Sequence, residues 1–220
     1  MGFIDTLLLW DTHLFLIING FHNAFFDKFM FIFSDKLVWI PFYLAVIFEI
    51  LNSKKKESVW LILALVLCVV LSDQISSSLI KDTVQRLRPS QDESLLNITH
   101  IVNVYKGGKF GFVSSHAANT FGFALLSSLI FRNRLYTFIV FSWAVLSAYS
   151  RIYLGVHYPG DVLGGMMVGG AVALICFGIL KRYKTLFINN FSVSFANVFT
   201  ISSLVMLMSI LSIAIYSLII

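Results

Sequence analysis

Two cations stand seven residues apart in the segment Lys81-Asp-Thr-Val-Gln-Arg-Leu-Arg88-Pro89 of this 220-residue chain. On a continuous helix, residues seven apart lie on nearly the same face, so Lys81 and Arg88 would point to one place before Pro89 ends the helix. Such a pair can bind an anion. A juxtamembrane basic patch that touches lipid headgroups explains the same residues equally simply.

A second segment, Gly111-Phe-Val-Ser114-Ser115-His116-Ala117, has the form of a helix start. Ser114 or Ser115 fits the N-cap position, where free backbone N–H groups and the helix dipole favour an anion. His116, on the first turn, would reach any anion held there. Simple capping beside an interfacial imidazole is the alternative interpretation.

The third segment runs from Ser150-Arg151 to His157 and ends in Tyr-Pro159-Gly-Asp161. Pro159 interrupts any continuous helix, which predicts that His157 lies in a turn and that Asp161 lies in the first turn of the next helix. A carboxylate that accepts a hydrogen bond from one imidazole nitrogen leaves the other nitrogen bare, as a nucleophile needs. A structural hydrogen bond would use the same pair.

The composition identifies the elements that must position these segments. Hydrophobic residues make up 58% of the chain, charged residues only 12%, and the mean hydropathy is +0.87. These values exclude a water-soluble fold and predict an all-α polytopic membrane bundle. The net charge of +5 lies in small clusters between apolar runs, so we expect no nucleic-acid partner. Cys68 and Cys176 lie inside apolar runs and predict no disulfide framework.

The apolar runs predict about six transmembrane helices and one domain, 1–220, in which 81–161 carries the catalytic motifs. The spans are Leu37 to Leu51, Val59 to Ile80, Ala117 to Phe131, Leu135 to Tyr149, Val162 to Leu180 and Ala196 to Ile219. Phe3 to Phe21 contains Asp5, Asp11 and His13, which are costly at bilayer depth, so we expect an interfacial helix within an N-terminal interfacial segment, 1–35. Because the first basic residue is Lys28, a cleavable signal peptide is not expected.

Basic residues in short loops predict the orientation of the bundle. Lys54-Lys55-Lys56, Arg132-Asn133-Arg134 and Lys181-Arg182-Tyr183-Lys184 all fall on one face of a six-span topology. Positively charged loops stay in the cytoplasm. The three polar segments then meet on the opposite, extracytoplasmic face.

Taken together, the three segments resemble the type 2 phosphatidic acid phosphatase (PAP2) superfamily of membrane lipid phosphatases. The family pattern is K-x6-RP, then PSGH, then SR-x5-H-x3-D. The positions of this chain that match it are Lys81, Arg88, Pro89, Ser114, His116, Ser150, Arg151, His157 and Asp161. Val113 replaces the Pro of the second element and Ser115 replaces its Gly, which alters a tight turn but no proton carrier.

The resemblance implies a role for each residue. His157 would attack phosphorus and form a phosphohistidine, Asp161 would orient it, and His116 would protonate the departing oxygen and then activate water. The residues expected to bind the substrate phosphate are Lys81, Arg88, Ser114, Ser115 and Arg151. No cofactor and no metal are expected, because the chain has no HExxH motif or clustered Asp set.

The expected partners are the lipid bilayer and a membrane lipid phosphate, in the bacterial inner (plasma) membrane with the site on its periplasmic or extracellular face. The candidate substrates are undecaprenyl diphosphate, phosphatidylglycerol phosphate, phosphatidic acid and a lipid A phosphate. The oligomeric state stays open. A non-catalytic lipid-binding protein or transporter is the alternative from another class. A vanadium haloperoxidase has a similar constellation, but those enzymes are soluble.

Overall fold

The structure is a computed structural model in which residues 2–53, 58–187 and 200–219 are described. The described chain is helical and has no strand longer than a single bridge. The helices are α1 (Phe3–Gly20), α2 (Ala24–Phe33), α3 (Ile40–Ser53), α4 (Ser58–Gln74), α5 (Lys81–Val84), α6 (Ser115–Phe131), α7 (Arg134–Tyr153), α8 (Pro159–Phe187) and α9 (Ile201–Ile219). A π-helical segment, Ile75–Ile80, joins α4 to α5.

Five described helical stretches are long and apolar enough to cross a membrane. They are Phe3–Gly20, Ser58–Val84, Arg134–Tyr153, Pro159–Tyr183 and Ile201–Ile219. The pair Ala24–Phe33 and Leu37–Asn52, bent by 67°, makes a sixth stretch if it is one span. The all-α membrane architecture expected from composition is therefore confirmed. The predicted start of the last span, 196–199, and the basic loop 54–56 lie outside the described residues.

Helix α6 is the centre of the bundle, since 12 of its 17 residues are buried. Glycines bring α8 against it: a Cβ added at Gly165 would overlap the carbonyl oxygen of Ser114, and one added at Gly169 would overlap that of Ala118. Small residues let helix backbones approach closely. The glycine-rich run of α8 therefore packs inside its own bundle.

The short helix α2 and the bent connection to α3 lie at the end of the bundle that carries the three polar segments, which we call the site end. The indole of Trp39 donates a hydrogen bond to the carbonyl of Phe33 at 2.9 Å and fixes this bend. Farther along α3, the buried Glu49 accepts hydrogen bonds from the backbone N–H of Ile201 and the hydroxyl of Ser202 at the start of α9. A carboxylate inside a predicted span is thus paired with a helix N-terminus.

Helix α1 meets the length and composition test for a span, yet its contacts lie along the site end. Phe15 packs its ring against Tyr158, with centroids 5.4 Å apart. One turn later, Asn19 donates hydrogen bonds to the carbonyls of Tyr153 at 2.8 Å and His100 at 3.0 Å. These contacts all reach helix ends and loops. The interfacial position of α1 stays a prediction, which they favour.

Candidate active site

His157 lies in the turn between α7 and α8, as the sequence predicts. After α7 ends at Tyr153, Gly155 adopts φ +75°, a conformation that suits glycine, and packs a bare Cα against the carbonyl of His100. His157 is 2% exposed and Asp161, in the first turn of α8, is 0% exposed. The Nδ1 atom of His157 lies 3.3 Å from Oδ2 of Asp161.

The other ring nitrogen of His157, Nε2, lies 2.8 Å from a guanidinium nitrogen of Arg88. Burial lowers the pKa of His157 well below 6.5, and the positive charges of Arg88 and Arg151 lower it further. The neutral tautomer with its proton on Nδ1 satisfies both contacts: Nδ1–H donates to Asp161 and Nε2 accepts from Arg88. Nε2 therefore carries the lone pair of a nucleophile.

The continuous helix predicted from Lys81 to Pro89 is wrong. Helix α5 ends at Val84, and Gln85 adopts a left-handed conformation with φ 52°. Leu87 then pairs with Phe110 in an isolated antiparallel bridge. The seven-residue spacing therefore does not place the two cations on one helix face. The position of Arg88 is set by pairing with a distant loop segment, which satisfies backbone groups that the helix leaves unpaired.

Arg88 is held by the backbone around it. Its Nε donates to the carbonyl of Phe110 at 3.0 Å, and one terminal nitrogen donates to the carbonyl of Val156 at 3.1 Å. Burial first, and then the charge of Arg151, lower the pKa of Arg88 to about 10. The guanidinium is thus charged at neutral pH, and its direction is fixed before any ligand arrives.

Arg151, near the end of α7, is also buried. It donates hydrogen bonds to the hydroxyl of Ser34 and, at 3.0 Å, to the hydroxyl of Tyr105. Burial alone would raise the pKa of the Tyr105 phenol, but the charge and hydrogen bond of Arg151 lower it overall. Within the described part of the chain, Nε of Arg151 is enclosed and has no hydrogen-bond partner.

The start of α6 completes the cluster. Ser114 is the N-cap, accepting from the backbone N–H of Ala117 at 3.4 Å, and its own N–H donates to the carbonyl of Asp161 at 2.8 Å. Ser115, where the family pattern has Gly, accepts a hydrogen bond from Nζ of the buried Lys81 at 3.1 Å. The N-terminus of α6 therefore lies near His157 together with three cations, Lys81, Arg88 and Arg151. The positive charges of all three lower the pKa of His157.

His116 lies on the side of this cluster that faces an open cavity. Its imidazole lies beside the backbone of Ser34, and its positive charge, when it is protonated, lowers the pKa of His157. The cavity has a volume of about 510 Å³ and lies between α3, α4, α6 and α7. Besides His116, the residues that line it include Lys36, Asp73, Gln74 and Asn119 at the site end, and Trp39, Tyr43, Val46, Ile62, Leu65, Val69, Phe123 and Trp143 below.

Sequence reasoning gave no role to Asp11 and Arg86, which support the pair of His157 and Asp161 from behind. One terminal nitrogen of Arg86 lies 2.6 Å from Oδ2 of Asp11 and 3.1 Å from Oδ1 of Asp161. Asp11 also accepts from the backbone N–H of Gly160 at 2.7 Å. A carboxylate inside the apolar run of α1 was the signal for this role, but the partner was not predictable from sequence.

Ser34 and Tyr105 were missed as well, because a serine after a helix and a tyrosine in a loop are common. Ser34 links two expected site residues, since its backbone contacts His116 and its hydroxyl contacts Arg151. Tyr105 pairs with Arg151 from the long loop before α6. Only the folded chain brings these segments together.

A second polar cluster, made by His22, Asp27 and His100, lies outside the site. Nε2 of His100 is 2.8 Å from Oδ1 of Asp27, and the rings of His22 and His100 stack at 3.6 Å with parallel planes. Ligand-type atoms of the three residues lie within 4.8 Å of one another. Because the ring planes are parallel, their in-plane lone pairs run side by side and do not converge on one ion. The cluster instead fastens the His100 loop to α2.

The arrangement suits phosphoryl transfer. A dianionic phosphoryl group would meet three cations and the N-terminus of α6, with the bare Nε2 of one histidine on one side and a second histidine beside an apolar cavity. A helical membrane bundle with this site defines a class of membrane-embedded phosphatases.

The comparisons agree with that class. The PAP2 superfamily model matches residues 57–184, more than half of the chain, and the chain belongs to this superfamily. It is 40% identical over 162 residues to a lipid A 4'-phosphatase of Bacteroides thetaiotaomicron, covering 73% of this chain and 72% of that protein. It is 37% identical over 167 residues to a lipid A 4'-phosphatase of Porphyromonas gingivalis, covering 76% and 71%.

A solved structure shows the same fold. The crystal structure of Aquifex aeolicus LpxE aligns with a TM-score of 0.58 and 26% sequence identity, covering 76% of this chain and 94% of that one. The expected membership in the superfamily, the membrane fold and the phosphatase class are therefore confirmed. The roles of individual site residues stay predictions.

Proposed function

We propose that this protein removes the phosphate of a membrane lipid by transferring it first to His157 and then to water. The observation that carries the proposal is the state of His157, whose Nδ1 faces Asp161 and whose Nε2 faces Arg88 among three cations. A buried, neutral imidazole oriented in this way is a nucleophile, whereas a purely structural histidine needs no ring of cations around it.

In the first step, Nε2 of His157 attacks phosphorus as the bond from phosphorus to the lipid oxygen breaks. The phosphate oxygens displace Nε2 from Arg88 and receive hydrogen bonds from Arg88, Arg151 and Lys81. His116, which is protonated once the phosphate dianion lies beside it, donates a proton to the departing lipid oxygen and becomes neutral. Because the phosphorylated imidazole becomes positive, the carboxylate of Asp161 stabilises it.

In the second step, water enters on the side that the lipid oxygen has left. His116, now neutral, takes a proton from the water as its oxygen attacks phosphorus. The bond between phosphorus and Nε2 breaks, inorganic phosphate leaves, and both histidines return to their initial states. Asp11 and Arg86 touch no substrate atom; they hold Asp161 in position throughout.

The lipid nature of the substrate is supported by the cavity beside His116. Its deeper wall is apolar and aromatic, with Trp39, Tyr43, Phe123 and Trp143 on the helices around it. The leaving group that His116 protonates would lie there, with its acyl part along α3 and α4. Two relatives named as lipid A 4'-phosphatases favour a phosphorylated glycolipid among the candidate substrates.

The extracytoplasmic position of the site is also a proposal, supported by the basic residues at the opposite end of the bundle, such as Arg132 after α6 and Arg134 at the start of α7. Thiol labelling of intact cells would test it. Cysteine at the exposed Ser94 should react with an impermeant reagent and cysteine at the exposed Asn52 should not. Because the native Cys68 and Cys176 are buried, background labelling should be low. The reverse pattern would place the site in the cytoplasm.

Phosphate release from purified protein tests the reaction. The substrates should be a lipid A 4'-phosphate, undecaprenyl diphosphate, phosphatidylglycerol phosphate and phosphatidic acid, each with and without EDTA. We expect release that survives EDTA, because Lys81, Arg88 and Arg151 meet the phosphoryl charge, and inhibition by vanadate. No release from any lipid by folded protein would favour a non-catalytic lipid-binding role. Loss in EDTA that one divalent ion restores would contradict the mechanism.

A further inference from the structure

A carboxylate and an amide meet in the cavity beside His116, and the reaction steps use neither. Asp73 on α4 accepts a hydrogen bond at 2.9 Å from Nδ2 of Asn119 on α6. Both side chains line the same cavity of about 510 Å³ as His116. Asp73 interrupts an otherwise apolar helix, and ionisable residues within membrane-spanning helices mark functional sites more often than not.

Their position relative to His116 follows from helix geometry. Asn119 comes three residues after His116 on α6, so it lies on the same face, about 4.5 Å deeper along the axis. Asp73 reaches this depth from α4, which runs toward the site end. The pair therefore borders the part of the cavity next to the atoms that His116 would protonate, above the apolar wall formed by Val69 and Phe123.

The hydrogen-bonding capacity of the pair is incomplete. Among the described residues, Oδ1 of Asn119 has no hydrogen-bond partner, but it is enclosed by protein and a group in the cavity does not reach it. The carboxylate of Asp73 can accept more hydrogen bonds than the one it receives from Asn119. The open positions of this carboxylate, which is partly exposed, are acceptors, so a group that fills them must carry donors, such as sugar hydroxyls or an amide N–H.

The negative charge of Asp73 also discriminates between two classes of leaving group. The leaving group of a polyprenyl diphosphate is a polyprenyl phosphate, which has negative oxygens and no hydroxyl or amide donors, so Asp73 would repel it. The leaving group of a phosphorylated glycolipid has donors and no charge at this place. Lys36 also lines the cavity, but it is exposed at the outer rim. Its positive charge is felt by Tyr105 and His116, so it belongs to the phosphoryl side of the site.

We propose that Asp73 and Asn119 form a leaving-group subsite that binds hydroxyl or amide donors of a glycan and thereby selects a phosphorylated glycolipid over a polyprenyl diphosphate. This inference rests on the proposed function, because it assigns the leaving group of that reaction. It adds the chemical class of the group that His116 releases. The charge of Asp73 also acts on Lys81, so Asn119→Leu, which keeps that charge, is the variant that tests the subsite alone.

The test compares two substrates in the purified full-length protein, a lipid A 4'-phosphate and undecaprenyl diphosphate. Asn119→Leu keeps the side-chain volume and removes the amide that holds Asp73; Asp73→Asn removes the charge. We expect Asn119→Leu to lower kcat/KM for the glycolipid by about tenfold to a hundredfold and to leave the diphosphate reaction within about twofold. Asp73→Asn should lower the glycolipid reaction and raise the diphosphate reaction.

Asp82→Asn is the matched control, because Asp82 lies in the same stretch of helix as Asp73, is exposed and does not line the cavity. It should leave both reactions unchanged. A purely structural bond between α4 and α6 would change the reactions of the two substrates by the same factor in Asn119→Leu and in Asp73→Asn. That equal change would overturn the subsite.

Binding of a dephosphorylated glycolipid, measured by native mass spectrometry, separates this inference from the proposed function. The ligand has no phosphate at this position, so its affinity reports the leaving-group side alone. Weaker binding to Asn119→Leu than to Asp82→Asn supports the subsite even if the wild-type protein releases no phosphate, a result that would refute only the proposed reaction. Equal binding to both variants would overturn the subsite whatever the phosphatase activity.

Discussion

The two sides of the site differ in how tightly protein packs around their polar groups. Around His157, the polar atoms of Arg88 and Asp161 are hydrogen-bonded by neighbouring backbone and side chains in the free protein. Around His116, a cavity of about 510 Å³ opens beside Asp73 and Asn119.

We expect this difference to separate the residues that carry out phosphoryl transfer from the residues that select the substrate. A phosphoryl group has a fixed shape and charge, so donors that are locked in place before binding stabilise its transfer most. Lipid leaving groups vary in size and polarity, and an open, partly polar cavity can accommodate one class of them. Variants on the His157 side should therefore reduce turnover of every substrate, and variants on the cavity side should change the ratio between substrates.

The largest effect is expected from His157→Ala. Loss of a covalent nucleophile reduces turnover on the order of 10⁴–10⁶-fold, because the remaining cations bind phosphate but form no bond to phosphorus. Phosphate release from each active lipid would measure it, with circular dichroism to verify folding. His13→Ala, at an exposed position on α1, is the matched control. Substantial activity in folded His157→Ala would contradict the nucleophile assignment.

His116→Ala should be nearly as damaging with a lipid substrate, but its effect should depend on the leaving group. A substrate with a good leaving group needs little proton donation and can still phosphorylate His157. Hydrolysis of that intermediate would be slow without a base, so an acid-labile phosphoprotein should accumulate. Rapid-quench labelling with a ³²P-substrate would detect it. Absence of label from His116→Ala with such a substrate would refute the division of roles between the two histidines.

A smaller effect is expected from Asp11→Asn. It weakens the ion pair with Arg86 at 2.6 Å and the bond from the backbone of Gly160, and so loosens Asp161 without removing a group that touches substrate. A loss of about tenfold in kcat with little change in KM is expected for every substrate. The acid limb of the kcat profile should also shift, which a purely structural defect would not cause. Asp5→Asn, at an exposed position on α1, serves as the control.

The smallest effect is expected from mild acidification. Because the pKa of His157 lies well below 6.5 in the folded protein, its ring should stay neutral as the pH falls through 6.5. In the unfolded chain the same ring takes up a proton near 6.5, so the folded state loses stability below that pH until His157 itself is protonated. ¹⁵N NMR of labelled histidine in wild type and His157→Ala would identify its signal. A signal that titrates near 6.5 would contradict the buried, neutral nucleophile.

The residue types and spacing within each segment were sufficient to predict the helical membrane class, a serine cap at position 114 or 115, the turn at His157 and the place of Asp161 at the start of α8. These features depend on local rules: an apolar run long enough for a bilayer, a hydroxyl before a helix, and a proline that interrupts one. Local rules hold because the atoms concerned are neighbours along the chain.

Tertiary structure alone decided the rest. The backbone pairing of Leu87 with Phe110 places Arg88, against the helix expected from the sequence. Asp11, Ser34, Tyr105 and the pair of Asp73 and Asn119 join the site from segments that lie far apart in sequence, and no periodicity relates them. A buried polar group needs a partner but does not specify which one. The packing of the helices selects that partner, and in this protein it determines which carboxylate supports His157 and which one lines the cavity.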